Sequence, residues 1–313
     1  MRLTEFELIK QVFAPLATSK AALGLTDDVA LLPARAGRVV KTDTIVEGVD
    51  FFPHDPPETI AQKALRVNLS DLAAKGAKPE GYLLTLVLPR HITTAWVKAF
   101  ARGLARDQRR FGITLLGGDM SGTAGPAVIT VAAFGSVVAG KPVLRRGARR
   151  GDLVFVSGTI GDAGGGLAAL KARKRERFLI GRYRVPEPRL ALGQKLRGIA
   201  SAALDVSDGL LADLGHIAEV SGVHVAVDAA RVPLSPALRK FWKGDVARAA
   251  TAGDDYEIAF TAPRAKRAKV LAAAKAARTR VTEIGFVMAG RGVALLGPDG
   301  RPVAVKRMGW EHF

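Results

Sequence analysis

Apolar and polar residues along this chain fall into blocks that switch repeatedly between helical and strand periods. The opening "MRLTEFELIKQVF" places Phe6, Ile9 and Phe13 at helical spacing, and Thr4 with Glu7 forms a Thr-x-x-Glu capping box, so a first helix is predicted there. "VVKTDTIVEG" reads as a strand ending in a polar turn, and "PETIAQKALRVNLSDLAAKG" as a helix stopped by Gly76, a residue suited to the left-handed position after a helix. "YLLTLVLP" is a short buried strand closed by proline. "TTAWVKAFARGLARDQRRFG" is a second long helix ended by Gly112. "ITLLGGD" is a strand running into a glycine turn, and "AVITVAAFGSVV" is a further strand.

Between Ala139 and Asp152 the pattern breaks into "AGKPVLRRGARRGD", rich in Gly, Pro and Arg, which marks an interdomain boundary. Beyond it, "LVFVSGTIGDAGGGLAALKA" gives strand, glycine turn and helix; "SDGLLADLGHIAEVSG" and "PRAKRAKVLAAAKAA" are helical; "VHVAV", "YEIAFTAP", "VTEIGFVMAG" and "GVALLG" are strands. Both halves therefore mix helices with strands. The expected fold is a mixed α/β architecture in two domains, 1–138 and 139–313, because 313 residues exceed what one core usually serves. "VNLSDLAAKG" and "LDVSDGLLADLG" echo each other across the halves.

Composition narrows the function. The absence of cysteine excludes a disulfide scaffold, thiolate metal sites and a cysteine nucleophile, and suits a reducing compartment. No apolar run is long enough for a membrane span, and the N-terminal stretch carries acids and no small-residue cleavage site; a cytoplasmic protein without a membrane partner is expected. The net charge of +18 would attract nucleic acid or anionic small molecules. The basic residues are scattered, as in "KARKRERFLIGRYR", and aromatic residues do not interleave with them, so an ordinary basic surface is favoured over nucleic-acid binding.

Familiar phosphate and zinc motifs are missing. There is no G-x-x-x-x-G-K-[ST], G-x-G-x-x-G or H-E-x-x-H, and the histidines are dispersed without ligand spacing. In their place stands a set of aspartates at the ends of elements: Asp27 and Asp28, Asp43, Asp71, Asp119 in "GGD", and Asp205 and Asp208 in "DVSD". Two carboxylates about 4 Å apart repel by roughly 4 kcal/mol at an effective dielectric near 20. Converging acids therefore need protons or cations, and such hard oxygen ligands suit Mg²⁺, which would turn an acidic cleft into a phosphate site. Each acid also has a plainer reading: Asp208 as a helix N-cap, Asp71 paired with Lys75 one helical turn on, "GGD" as a turn, Asp27–Asp28 as an Asx turn.

Taken in order, "TDDVALL", "KTDTIVEGVDFF", "KALRVNLSDLAAKGAKP", "LLGGD", "VLRRGARRGD", "ALDVSDGLLADLGH", "AGDDYEIAF" and the closing "MGWEHF" resemble the thiamine-monophosphate kinase family. That family is related to aminoimidazole ribonucleotide synthetase, selenophosphate synthetase and a hydrogenase-maturation protein. The resemblance implies an N-terminal α/β domain whose sheet pairs with its copy across a homodimer, a C-terminal α/β domain that completes the site, and transfer of the ATP γ-phosphoryl group to thiamine monophosphate. By the same resemblance Asp28, Thr42, Asp43, Asp71, Asp119, Asp205 and Asp208 would hold several Mg²⁺ ions, with Asp43, Asp119, Arg145 and Asp208 central to catalysis. Gly118, Arg145 and Ser207 would contact ATP. Asp50, Asp254 and Trp310 would contact thiamine monophosphate, with Trp310 against its cationic ring or packed as a tail anchor.

The chain departs from the family pattern in carrying Thr26 for a glycine, Lys41 for a small hydroxyl residue that helps hold one metal, Asp50 for a histidine, and Asp254 for a glutamate. A related enzyme acting on a different acceptor remains the alternative, although the selenophosphate synthetases use a cysteine or selenocysteine that this chain lacks.

Overall fold

A computed structural model describes residues 26–27, 30–32, 37–137 and 141–311, the second of these by its backbone, and folds them around two β-sheets. The helix expected at the N-terminus and the candidate ligand Asp28 lie outside the described residues.

The first sheet contains β1 (Ala30–Leu32), β2 (Gly37–Val46), β3 (Lys78–Pro89), β4 (Thr114–Thr123) and β5 (Val128–Val137) in the order β1-β2-β5-β3-β4. All neighbours are antiparallel except β3 and β4, which are parallel because helix α2 (Thr94–Phe111) connects them as a crossover. Alternation along β2 sends Val39 and Ile45 into the core beneath helix α1 (Pro57–Ala74), and the same two-residue period puts Lys41 and Asp43 on that face. Along β3, Tyr82, Leu84, Leu86 and Leu88 are likewise buried, whereas Leu83 points to the opposite face and is exposed.

The expected turn at "GGD" does not form. β4 runs straight through Gly117, Gly118 and Asp119, paired with Leu83, Leu84 and Thr85 of β3. Gly118 is required by proximity: a Cβ there would lie 1.8 Å from the Leu84 carbonyl oxygen. Gly118 serves a close strand approach, and the chain turns only at Gly125, whose N–H donates to Thr123 Oγ1.

Helix α1 ends as its sequence predicts. Gly76 takes φ +69°, its N–H bonds the Ala73 carbonyl, and the Ala77 N–H bonds the Leu72 carbonyl, which is a Schellman arrangement. From Ile60 to Ala74 every residue of this helix is buried, because it packs on the first sheet with one side and on the second domain with the other. Its polar residues must therefore find partners inside the protein. Arg66 makes a bidentate pair with Asp107 of α2 (2.6 and 2.8 Å) and donates to the Pro186 carbonyl at 2.9 Å; Gln62 donates to the same carboxylate. Replacing Asp107 with Ala would strand the guanidinium, and a loss of about 3–5 kcal/mol in urea unfolding is expected.

The second sheet contains β6 (Asp152–Ser157), β7 (Ala202–Asp205), β8 (His224–Asp228), β9 (Ile258–Pro263), β10 (Val281–Met288) and β11 (Gly292–Leu296) in the order β11-β8-β10-β6-β9-β7. With it go α3 (Asp162–Lys171), α4 (Arg177–Arg184), α5 (Leu190–Leu196), α6 (Leu210–Ser221), α7 (Pro236–Phe241), α8 (Val246–Ala250) and α9 (Arg267–Ala276). "KARKRERFLIGRYR", expected as ordinary basic surface, is divided between α3 and α4 and also buries Leu179 and Tyr183. Residues 141–151 join the sheets without regular secondary structure. Among the described residues no helix is long and apolar enough to cross a membrane.

Candidate active site

The two domains enclose a cleft of about 1600 Å³. Ten of the residues expected at a site line it: Thr42, Asp43, Asp50, Asp71, Arg145, Asp205, Ser207, Asp208, Asp254 and Trp310. They come from β2, the following turn, α1, the interdomain segment, the end of β7, the loop before β9 and the C-terminal segment. Seven separate stretches of chain thus meet at one place.

The acids of the first domain gather around a lysine. Lys41 Nζ lies 3.3 Å from Asp43 Oδ1 and 3.0 Å from Asp71 Oδ2. The i, i+4 pair expected between Asp71 and Lys75 is not what forms. Lys75, fully buried, reaches across the domain junction to the Ala203 carbonyl (3.0 Å) and to Asp27 Oδ1 (2.9 Å). The other oxygen of Asp27 accepts the Arg145 backbone N–H at 2.7 Å. Asp27 is thereby a positioning group that ties the N-terminal loop to the segment presenting Arg145. Thr42 Oγ1 donates to the Val131 carbonyl at 3.1 Å, which fixes its rotamer at the cleft wall.

In the second domain Asp205 ends β7 and Asp208 follows three residues later. Asp208 is not the N-cap acceptor expected of it. That task falls to Asp213, whose Oδ2 accepts the Asp208 and Gly209 N–H groups, both at 3.1 Å, at the start of α6. Burial first, and then the charges of Asp208 and Asp205, push the Asp213 carboxyl well above the usual carboxylate range. Ligating atoms of Asp208, Asp213 and His216 lie within 4.8 Å of one another. This group was missed in the sequence, although Asp213-x-x-His216 is the i, i+3 spacing that puts two ligands on one helix face. Tyr256 reports the same field: burial and the charges of Asp254, Asp43, Asp205 and Asp50 all push its phenol upward.

Asp254 is held in a left-handed conformation, φ +70°, as is Tyr256 at φ +51°. The surroundings fix both. The Asp254 N–H bonds the Ser207 carbonyl at 2.7 Å, the Tyr256 N–H bonds the Val206 carbonyl at 2.8 Å, and between them Asp255 accepts the Gly161 and Ala163 N–H groups. Buried Glu257 anchors the end of the loop to Arg182, Arg189 and Ser157. Such strain at a cleft marks a place where side-chain direction is imposed. Lys63, also unforeseen, joins this loop to the first domain: its Nζ donates to the Asp50 carbonyl (2.8 Å) and Asp254 Oδ2 (3.2 Å) and sits 3.9 Å from the Tyr183 ring centre. Asp50 itself caps the turn after β2, its Oδ2 accepting the Val46 N–H at 2.7 Å. Trp310 is tied to the site by its backbone N–H, which bonds the Asp208 carbonyl at 2.9 Å, while half of the side chain stays exposed at the cleft.

Gly118 and Asp119 are not in this cleft. Across the sheet, Asp43 pairs with Val131, Val131 with Leu84, and Leu84 with Gly118. Three strand spacings put β4 about 14 Å from β2. The expectation that Asp119 lines one cleft with Asp43 and Asp71 is therefore corrected: within one chain it stands on the exposed edge strand. The cleft that remains presents hard carboxylate and hydroxyl oxygens in a concentrated negative potential, and these donors fit Mg²⁺; the imidazole of His216 is not a donor that Mg²⁺ selects.

Two α/β domains closing on an acidic cleft are the architecture of the AIR synthase related proteins. Residues 26–137 match the N-terminal domain of that family and residues 149–297 its C-terminal domain. A thiamine-monophosphate kinase of Caulobacter vibrioides is 43% identical, covering 99% of this chain and 91% of its own length. One of Escherichia coli is 38% identical, covering 99% and 98%. A solved structure described as "AaThiL complexed with AMPPCP and TMP" superposes with a TM-score of 0.88 at 33% identity, covering 100% of this chain and 99% of that one. Within the AIR synthase related proteins, the chain belongs to the thiamine-monophosphate kinase family.

Proposed function

We propose that this chain transfers the γ-phosphoryl group of ATP to thiamine monophosphate, giving thiamine diphosphate and ADP. The carrying observation is the convergence of Thr42, Asp43, Asp71, Asp205 and Asp208 with Arg145 and Ser207 in one interdomain cleft. An oxygen of the acceptor phosphate forms the new bond to the γ-phosphorus as the bond to the β,γ-bridging oxygen breaks, and ADP leaves with that electron pair. The acceptor is a phosphate monoester, already ionised near neutral pH, so no side chain has to remove a proton. The work left to the protein is alignment and charge. Mg²⁺ ions held by Thr42, Asp43, Asp71, Asp205 and Asp208 would neutralise phosphate charge. Arg145, oriented through its backbone by Asp27, supplies a further cation to the phosphates, and Ser207 a hydroxyl donor. At the other end Asp50 and Asp254 offer negative charge, and Trp310 a ring face, to the cationic thiazolium.

The same reading makes the protein a homodimer of cytoplasmic enzymes in which residues 1–138 bind ATP and Mg²⁺ and pair between copies, and residues 139–313 complete each site. Its support is the uncovered face and edge of the first sheet, where Leu83, Leu115, Leu116 and Met120 are exposed together with nearly all of β4. A second copy covering that surface would deliver its own Gly118 and Asp119 to the cleft that lacks them.

Purified protein given ATP, thiamine monophosphate and Mg²⁺ is expected to form thiamine diphosphate, and EDTA to stop it. Turnover of another phosphate acceptor with none of thiamine monophosphate would overturn the assignment.

A further inference from the structure

A lysine stands directly between two of the acids of the cleft. Lys41 lies on the face of β2 that meets α1, beside Asp43 on the same face, and its head reaches Asp71 on the helix. With 3.3 Å to one carboxylate and 3.0 Å to the other, the ammonium occupies the point where these two acids face each other. Its side chain is 16% exposed and that of Asp71 5%, so their attraction acts with little screening by solvent, whereas Asp43, 35% exposed, is reached more by water. A shared cation is what two neighbouring carboxylates require, and here the chain itself provides it.

We infer that Lys41 is a built-in cation of the active site: its ammonium takes the place of one divalent ion between Asp43 and Asp71, so each site loads one divalent ion fewer than it would with a small uncharged residue at position 41. The inference rests on reading the cleft as a divalent-ion centre. A covalently held ammonium cannot dissociate, so the Asp43–Asp71 pair keeps a shared counterion that cancels one of its two charges when free metal is scarce, and it leaves the remaining ions to Asp205, Asp208 and the outer oxygens of Asp43 and Asp71. An ion entering between Asp43 and Asp71 would have to displace the ammonium from both carboxylates at once.

Metal-free full-length protein titrated with Mn²⁺, with free ion followed by electron paramagnetic resonance, counts the ions bound. Lys41→Ser is expected to bind one more Mn²⁺ per chain than the unaltered protein, and Lys41→Arg the same number as the unaltered protein. Equal, non-zero numbers for Lys41→Ser and the unaltered protein would overturn the inference and leave the metal reading standing. No bound ion in any of the three would overturn both. Lys41→Met keeps the stem and removes the charge. In EDTA it is expected to melt below the unaltered protein, and Mn²⁺ to narrow the gap. Equal melting in EDTA would refute the built-in cation.

Discussion

Asp71→Asn is expected to lower kcat/KM for thiamine diphosphate formation by a factor on the order of 10²–10³, the scale on which one charge-stabilising group contributes to a transition state. The substitution keeps the shape of the side chain and removes its charge, so the effect isolates electrostatics. Asp71 sits on α1, buried against both domains, with its carboxylate turned into the cleft and 3.0 Å from Lys41. Once it is neutral, the site loses an anchor for divalent ions, and Lys41 is left to Asp43 alone. Since Lys41 keeps that partner, folding should suffer little, and the unfolding midpoint in urea should move by much less than that of Asp107→Ala. Steady-state kinetics at several Mg²⁺ concentrations would show the loss mainly in kcat, with more Mg²⁺ needed for half-maximal rate. A rate within tenfold of the unaltered protein would remove Asp71 from the metal-binding set.

The sequence carried the longer strands and helices because period and punctuation are local, whereas the short β1, β7, α7 and α8 offered too few residues to show a period. Gly76 and Gly112 ended α1 and α2 where expected, each at positive φ, and the strands of the second domain other than β7 lie where their apolar runs placed them. The partners of charged side chains were less legible. Asp71 and Lys75 are one turn apart, which on a solvated helix makes a pair. On a helix buried all round, each finds a different domain: Asp71 faces Lys41 of β2, and Lys75 faces Asp27 and the Ala203 carbonyl. The role of Lys63, which holds the Asp50 carbonyl and reaches Asp254 across 191 positions of sequence, has no local signal at all. Asp213 and His216 had one, their helical spacing, which the wide scatter of the other histidines obscured. "GGD" misled for a different reason. Glycine pairs usually mark turns, but here Gly118 lets β4 approach β3, and only pairing of strands distant in sequence could reveal it.

That edge position makes the strongest demand on the proposed assembly. Asp43→Asn and Asp119→Asn homodimers are each expected to be inactive, whereas a heterodimer of the two, co-expressed with different tags and purified through both, should recover about half the unaltered rate, as a two-fold symmetric assembly with one intact site requires. The reasoning is geometric. Within a chain, three strand spacings of roughly 4.8 Å separate the two aspartates. In the proposed homodimer Asp119 would therefore serve the site of the other copy. In the heterodimer one cleft then combines Asn at both positions, and the other combines Asp43 of one copy with Asp119 of its mate. If Asp119 acted within its own chain, each cleft of the heterodimer would carry one Asn and none would work. A doubly tagged heterodimer without activity would thus refute the shared site. The same outcome would return the exposed Leu115, Leu116 and Met120 of β4 to being a surface in need of another explanation.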